Sequence, residues 1–276
     1  VENKECDVLL KEPVASSNQD IKLDLPGKEM PPLKFLFPTL VTILAICAGF
    51  SGIGSALEGN LETAVSMVLV AAFLDGIDGR IARLMKATSK FGEQMDSLAD
   101  VINFGVAPSL VTYIAVLNQA NTFGWSIALM YTIAISLRLA RFNIMNECDN
   151  KEAWKDEYFV GLPAPIGAIL LMLPLYIQFL GFKVTTIYGY TATVYAMIIS
   201  FLLCSRLPVW SGKKVPRKCI VPMILFSAAY IAFMIRFLWE VVIASTLCYI
   251  IILLPISFYS WNKRYGIIEK NRKILK

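Results

Sequence analysis

Four carboxylates, Asp75, Asp78, Asp96 and Asp100, punctuate a stretch that reads DGIDGRIARLMKATSKFGEQMDSLAD. At about 100° per residue, Asp75, Asp78, Gly79, Ala82 and Arg83 share one face of a helix. Gly92, Asp96 and Asp100, each four apart, share a face of the next one. Two such helices, set side by side, present four acids to a common point. The run from Ala64 to Leu74 is largely apolar, so the first acids fall at the end of a buried helix. Ionisable groups in that setting are costly and mark function. Arg83 alone leaves most of the negative charge uncompensated, and bound divalent cations would answer it. Two other readings stay open: a helix-end ion network with Arg80, Arg83, Lys86 and Lys90, and a cation-coupled transporter using the same acids.

Composition narrows the chemistry further. The chain has 276 residues, is 57% hydrophobic and has a mean hydropathy of +0.61. Those values exclude an ordinary soluble protein, and several runs reach the roughly 20 residues that cross a bilayer core. Histidine is absent. That removes imidazole bases, Ser-His-Asp triads and ordinary zinc sites. A metal must then be held mainly by oxygen, which favours Mg²⁺ or Mn²⁺. The six cysteines form no C-x-x-C pair, and they read as free thiols.

The elements expected to position the acids are transmembrane helices. The pattern predicts an all-α membrane bundle of about eight spans, at 35–57, 63–85, 92–117, 123–145, 164–182, 186–204, 217–236 and 240–261. Pro108 is expected to bend the third, with a neighbouring helix satisfying the freed carbonyl. With both termini in the cytosol, all Lys and Arg except Lys183 and Arg236 fall on the inner side. The acids then lie at the cytosolic ends of spans two and three of a multi-pass protein of the cytoplasmic membrane. Residues 1–34 read as a cytosolic arm without a signal peptide, 35–262 as the membrane domain, and 263–276 as a basic tail. The net charge of +5 suits an anionic lipid surface and gives no reason to invoke nucleic acid. Trp125, Tyr188, Tyr190, Trp239 and Trp261 are expected as interfacial anchors.

Written as D-G-x2-A-R-x8-G-x3-D-x3-D with a further Asp three residues earlier, residues 75–100 resemble the CDP-alcohol phosphotransferase family. The resemblance implies attack of an alcohol on the β-phosphate of a CDP-linked lipid, with release of CMP and two Mg²⁺ or Mn²⁺ ions at the site. It implies that Asp75 and Asp96 bridge both ions, that Asp78 completes one, and that Asp100 completes the other and serves as general base. Gly79, Ala82, Arg83, Ser89 and Gly92 would meet the CDP-lipid. Thr39 and Thr42 would join them, in a Pro38-Thr-Leu-Val-Thr42 stretch where many relatives have Pro-Asn-x-x-Thr. A homodimer is implied as well.

Three further stretches look like the serine-accepting branch of that family: Asp100 to Pro108, Arg138-Leu-Ala-Arg-Phe-Asn143, and Gly161-Leu-Pro-Ala-Pro165. They imply CDP-diacylglycerol and L-serine as substrates, with inositol phosphate, glycerol phosphate or choline as alternative acceptors. Arg138 and Arg141, three apart, share a helix face and could grip the serine carboxylate, with Asn143 adding a hydrogen bond. The other reading is that both arginines snorkel to the interface. Gly161 to Pro165 either contributes to the site or stiffens the entry to the following helix.

Overall fold

The computed structural model describes residues 33–85, 89–147, 158–160, 162–205, 208–210, 228–230, 232–234 and 236–253. They belong to one unit, Leu33–Lys276. Helix α1 (Leu33–Leu57) packs along α2 (Leu61–Leu84). Next comes one long rod in three parts: α3 (Lys90–Asp100), a π-helical turn (Val101–Val106) and α4 (Ala107–Ala115). A 3-10 turn (Leu117–Ala120) leads into α5 (Thr122–Glu147). Helices α6 (Ala164–Leu171), α7 (Leu173–Phe179) and α8 (Thr186–Cys204) follow, then α9 (Leu238–Cys248). Tyr158–Val160 (β1) and Pro208–Trp210 (β2) form one short antiparallel pair, Tyr158 opposite Trp210.

The bundle is all-α, as expected, but the eight-span count is wrong. Among the described residues four helices are long and apolar enough to cross a membrane: Phe37–Leu57, Phe91–Ala115, Thr122–Ile144 and Thr186–Cys204. Segment 63–85 does form a helix, yet Glu62, Asp75, Asp78, Arg80 and Arg83 make α2 too polar for that class. Segment 164–182 is not one rod, because the chain breaks at Met172 just before Pro174. In segment 240–261 the apolar helix is short, Leu238–Ile251. Most of 217–236 lies outside the described residues. The placement of both termini on one side rested on the count of eight and falls with it.

Proline explains where the rods break, and tyrosine explains why the breaks are tolerated. Pro108 has no N–H to offer the carbonyl of Phe104, four residues back. The hydroxyl of Tyr131, fully buried on α5, donates to that carbonyl instead at 3.1 Å. Pro174 likewise leaves the Leu170 carbonyl, and the Tyr195 hydroxyl of α8 donates to it at 2.9 Å. Pro163 and Pro165 stand at the start of α6, where a fixed φ suits a helix entry, and Gly161 lies outside the described residues. Of the expected anchors, Trp125 is exposed and meets Tyr113 edge-on, whereas Trp239 packs on Phe179 and Tyr188 bonds the Pro174 carbonyl. Trp261 lies outside the described residues.

Small residues set the α1–α2 distance. A Cβ on Gly52 would stand 2.9 Å from the Ala64 carbonyl oxygen and 3.1 Å from Val68 Cγ2. Large apolar side chains point outward around this core, among them Phe50, Phe73, Ile133 and Phe201. That outer surface suits lipid rather than water. Gly52→Ala should therefore push the two helices apart and cost about 1–3 kcal/mol. Gly54→Ala meets nothing within 4 Å and should be neutral or slightly stabilising. Thermal unfolding of both variants in one detergent checks the contrast; equal melting temperatures would refute it.

Candidate active site

Each acid is held at its height by the elements just described. Asp75 and Asp78 stand on the last turns of α2, and Asp96 and Asp100 on α3. One carboxylate oxygen from each of Asp75, Asp78 and Asp96 lies within 4.8 Å of the others. Asp100 is outside that trio but shares a side-chain hydrogen bond with Asp75. Two carboxyls in such contact repel unless a proton or a cation sits between them.

The protein gives each acid a partner of its own. Asp78, only 2% exposed, accepts from the Thr42 hydroxyl of α1 at 2.7 Å and from the backbone N–H of Gly79. Asp75 accepts from Asn103 Nδ2 at 3.3 Å. Asp96 interacts electrostatically with Arg83, and Asp100 with Arg138. Four acids thus face two guanidiniums, so protons or a bound cation must answer the remaining charge. The donor set is entirely oxygen, and its span matches ligands placed around one hard cation at about 2.0–2.6 Å. The trio can therefore hold a divalent metal ion.

The remaining expected site residues divide into two groups. Gly79 and Ala82 line the same end of α2, and a Cβ on Gly79 would meet nothing within 4 Å. Arg83 is exposed, with Nε on the Gly79 carbonyl at 3.0 Å. Thr39 stands one turn before Thr42 on α1. Ser89 has a structural task, since its hydroxyl caps α3 by accepting from Gly92 N at 3.0 Å. On α5, Arg138 is half-buried, and its buried Nε has no hydrogen-bond partner among the described residues. Arg141 Nη1 donates to the Cys204 carbonyl at the end of α8, at 3.1 Å. Asn143 Nδ2 donates to Ser97 Oγ on α3, at 3.0 Å.

Three side chains near the acids escaped the sequence reading in their actual roles. Asn103 was seen only as part of a stretch, although an amide seven residues after Asp96 in an apolar run could have flagged it. Ser97 ties α3 to α5. Arg138 is a countercharge of Asp100, a pairing between helices that spacing along one chain cannot reveal.

A carboxylate cluster able to hold a divalent cation, inside a bundle with an apolar exterior, is the arrangement of a membrane protein with a polar site. The CDP-alcohol phosphatidyltransferase family profile matches residues 35–256, and the chain belongs to that family. A Mycobacterium leprae protein named CDP-diacylglycerol–serine O-phosphatidyltransferase is 38% identical over 237 residues, covering 83% of this chain and 76% of the relative. Mycobacterium bovis has one of the same name, 43% identical over 146 residues, or 52% of this chain and 51% of the relative. One from Bacillus subtilis is 37% identical over 136 residues, or 49% of this chain and 73% of the relative. This chain therefore spans about half the length of the M. bovis relative and about three quarters of the other two.

The open face at Gly79 generates a test. Gly79→Ala adds a methyl group where no protein atom stands, so the melting temperature should stay at the wild-type value. Binding of a CDP-linked lipid should weaken about tenfold or more, if a nucleotide packs there at van der Waals distance. Unchanged lipid affinity in a titration would show that the nucleotide lies elsewhere.

Proposed function

We propose that the chain transfers a phosphatidyl group from CDP-diacylglycerol to L-serine and releases CMP. The observation that carries this reading is the convergence of Asp75, Asp78 and Asp96, with Asp100 interacting with both Asp75 and Arg138. The names of the relatives favour serine as acceptor.

Asp75, Asp78, Asp96 and Asp100 would hold two Mg²⁺ or Mn²⁺ ions, whose charge would neutralise the pyrophosphate and polarise the bond under attack. The chain's own residues do the rest. Gly79, Ala82 and Gly92 keep the helix surface low where the nucleotide would lie, Thr39 and Thr42 border it on α1, and Ser89 keeps a hydroxyl proton to donate while it caps α3. Arg83 holds phosphate oxygen. Asp100 takes the proton from the serine hydroxyl as its oxygen bonds to the β-phosphorus. The bond from that phosphorus to the CMP phosphate oxygen breaks, and CMP leaves with the electron pair.

Arg138 links acceptor to base. A serine carboxylate arriving at its guanidinium competes with Asp100 for the same charge, which frees Asp100 to accept a proton as the acceptor docks. Arg141 and Asn143 flank it on α5, Arg141 with further N–H groups beyond the one given to Cys204. We read the site as facing the cytosol of a cytoplasmic membrane, because Arg80, Arg83, Lys86 and Lys90 crowd the α2–α3 connection. Residues 35–262 are then the catalytic domain, with 1–34 an arm and 263–276 a basic tail. The bilayer and, by family resemblance, a second copy of the chain are its partners, and nucleic acid is not.

Purified chain supplied with CDP-diacylglycerol and Mn²⁺ should release CMP with serine, and far less with inositol phosphate, glycerol phosphate or choline. A different preferred alcohol would change the acceptor, and no CMP with any alcohol would favour a transporter. Asp100→Asn should cut turnover by about 100-fold or more while keeping CDP-lipid affinity. Residual activity within about tenfold of wild type would remove Asp100 as base. Arg138→Ala should raise the KM for serine about 10-fold to 150-fold, the worth of a hydrogen bond to a charged group. If the KM for the lipid rises instead, Arg138 serves the nucleotide side.

A further inference from the structure

Asn103 lies in the π-helical turn that begins directly after Asp100, and it is 0% exposed. Such turns are rare and cluster at functional sites. Its Nδ2 donates to Asp75 Oδ1 across the gap between α2 and the long rod. Its other end makes no such bond: Asn103 Oδ1 is buried without a hydrogen-bond partner. That oxygen faces α1 at Gly49, where a Cβ would stand only 2.8 Å away. A buried amide oxygen without a donor costs stability, so the residue is kept for what its nitrogen does. With Asp75 ionised, the reversed amide would set Oδ1 against a carboxylate. A side chain at position 49 would displace the Asn103 amide from its present place.

We propose that Asn103 is a positioning residue for Asp75, seated on Gly49, and that it turns the Asp75 carboxyl toward Asp78 and Asp96. The inference rests on the cation reading given above. It assigns the pre-organisation of that trio to a side chain that would itself touch neither cation nor substrate. Outer partners of this kind typically govern metal affinity about 10-fold to 100-fold.

The test is direct Mn²⁺ binding to the full chain in detergent, read from the electron paramagnetic resonance signal of the free ion. Asn103→Leu fills the same space, removes the orphaned oxygen and deletes the donor. It should keep or raise the melting temperature while weakening Mn²⁺ about tenfold. A purely structural asparagine would show the opposite, a lower melting temperature with unchanged Mn²⁺ affinity. Gly49→Ala should also weaken Mn²⁺, and adding it to Asn103→Leu should produce no further loss. Additive losses in the double variant would overturn the seat assigned to Gly49. Wild-type Mn²⁺ affinity in Asn103→Leu would overturn the inference alone. A wild-type chain that binds no Mn²⁺ would overturn the cation reading and this inference together.

Discussion

Negative charge gathered in a poorly solvated place has to be answered, and the architecture follows from how it is answered here. Asp75, Asp78, Asp96 and Asp100 come from two rods, and each has one compensating group from a different part of the bundle. Thr42 reaches in from α1, Asn103 from the π turn, Arg83 from α2 and Arg138 from α5. Two of those groups are neutral donors, so the protein supplies half of the countercharge. The rest is left to something that comes and goes. That division suits catalysis better than full internal pairing, since a fully neutralised cluster would have no affinity for a cation or a phosphate.

The acids themselves were legible because spacing on a helix is a local property. Intervals of three and four residues determine which side chains share a face, whatever surrounds them. The consequence of Pro108 was legible for a similar reason: a missing N–H creates a debt at a known carbonyl, and only a neighbouring helix could supply the donor. The sequence could not say that Tyr131 is that donor. Ser89 shows the converse. Its place before α3 matches both a nucleotide contact and a helix cap, and in the structure its hydroxyl is occupied by Gly92 N.

The number of spans was not legible, because hydropathy measures composition rather than continuity. Residues 164–182 are apolar enough to cross, yet Pro174 divides them into two short helices. Segment 63–85 has the length but carries Asp75, Asp78, Arg80 and Arg83, so the cluster that can hold a cation also disqualifies α2 as an apolar span. Arg141 was hidden for a different reason. Its partner is the carbonyl of Cys204, 63 residues away, and no periodicity connects the two.

The long rod and α5 run antiparallel and meet in a ladder that explains how a bent helix can still hold an exact site. Ser109 touches Thr132 at 2.9 Å, the Phe104 carbonyl meets Tyr131, Asp100 feels the charge of Arg138, and Ser97 meets Asn143. From Phe104 down to Ser97 the partners climb α5 from Tyr131 to Asn143, and Ser109 meets Thr132 beside Tyr131, so the rungs hold the two helices antiparallel. The π turn lies in the middle of this ladder, where an extra residue would otherwise let the lower half rotate. With rungs above and below, rotation would break hydrogen bonds on both sides at once. The π turn, between Asp100 and Pro108, is therefore held from both ends. Asn103 lies within it, and its amide is the one group there that reaches across to α2.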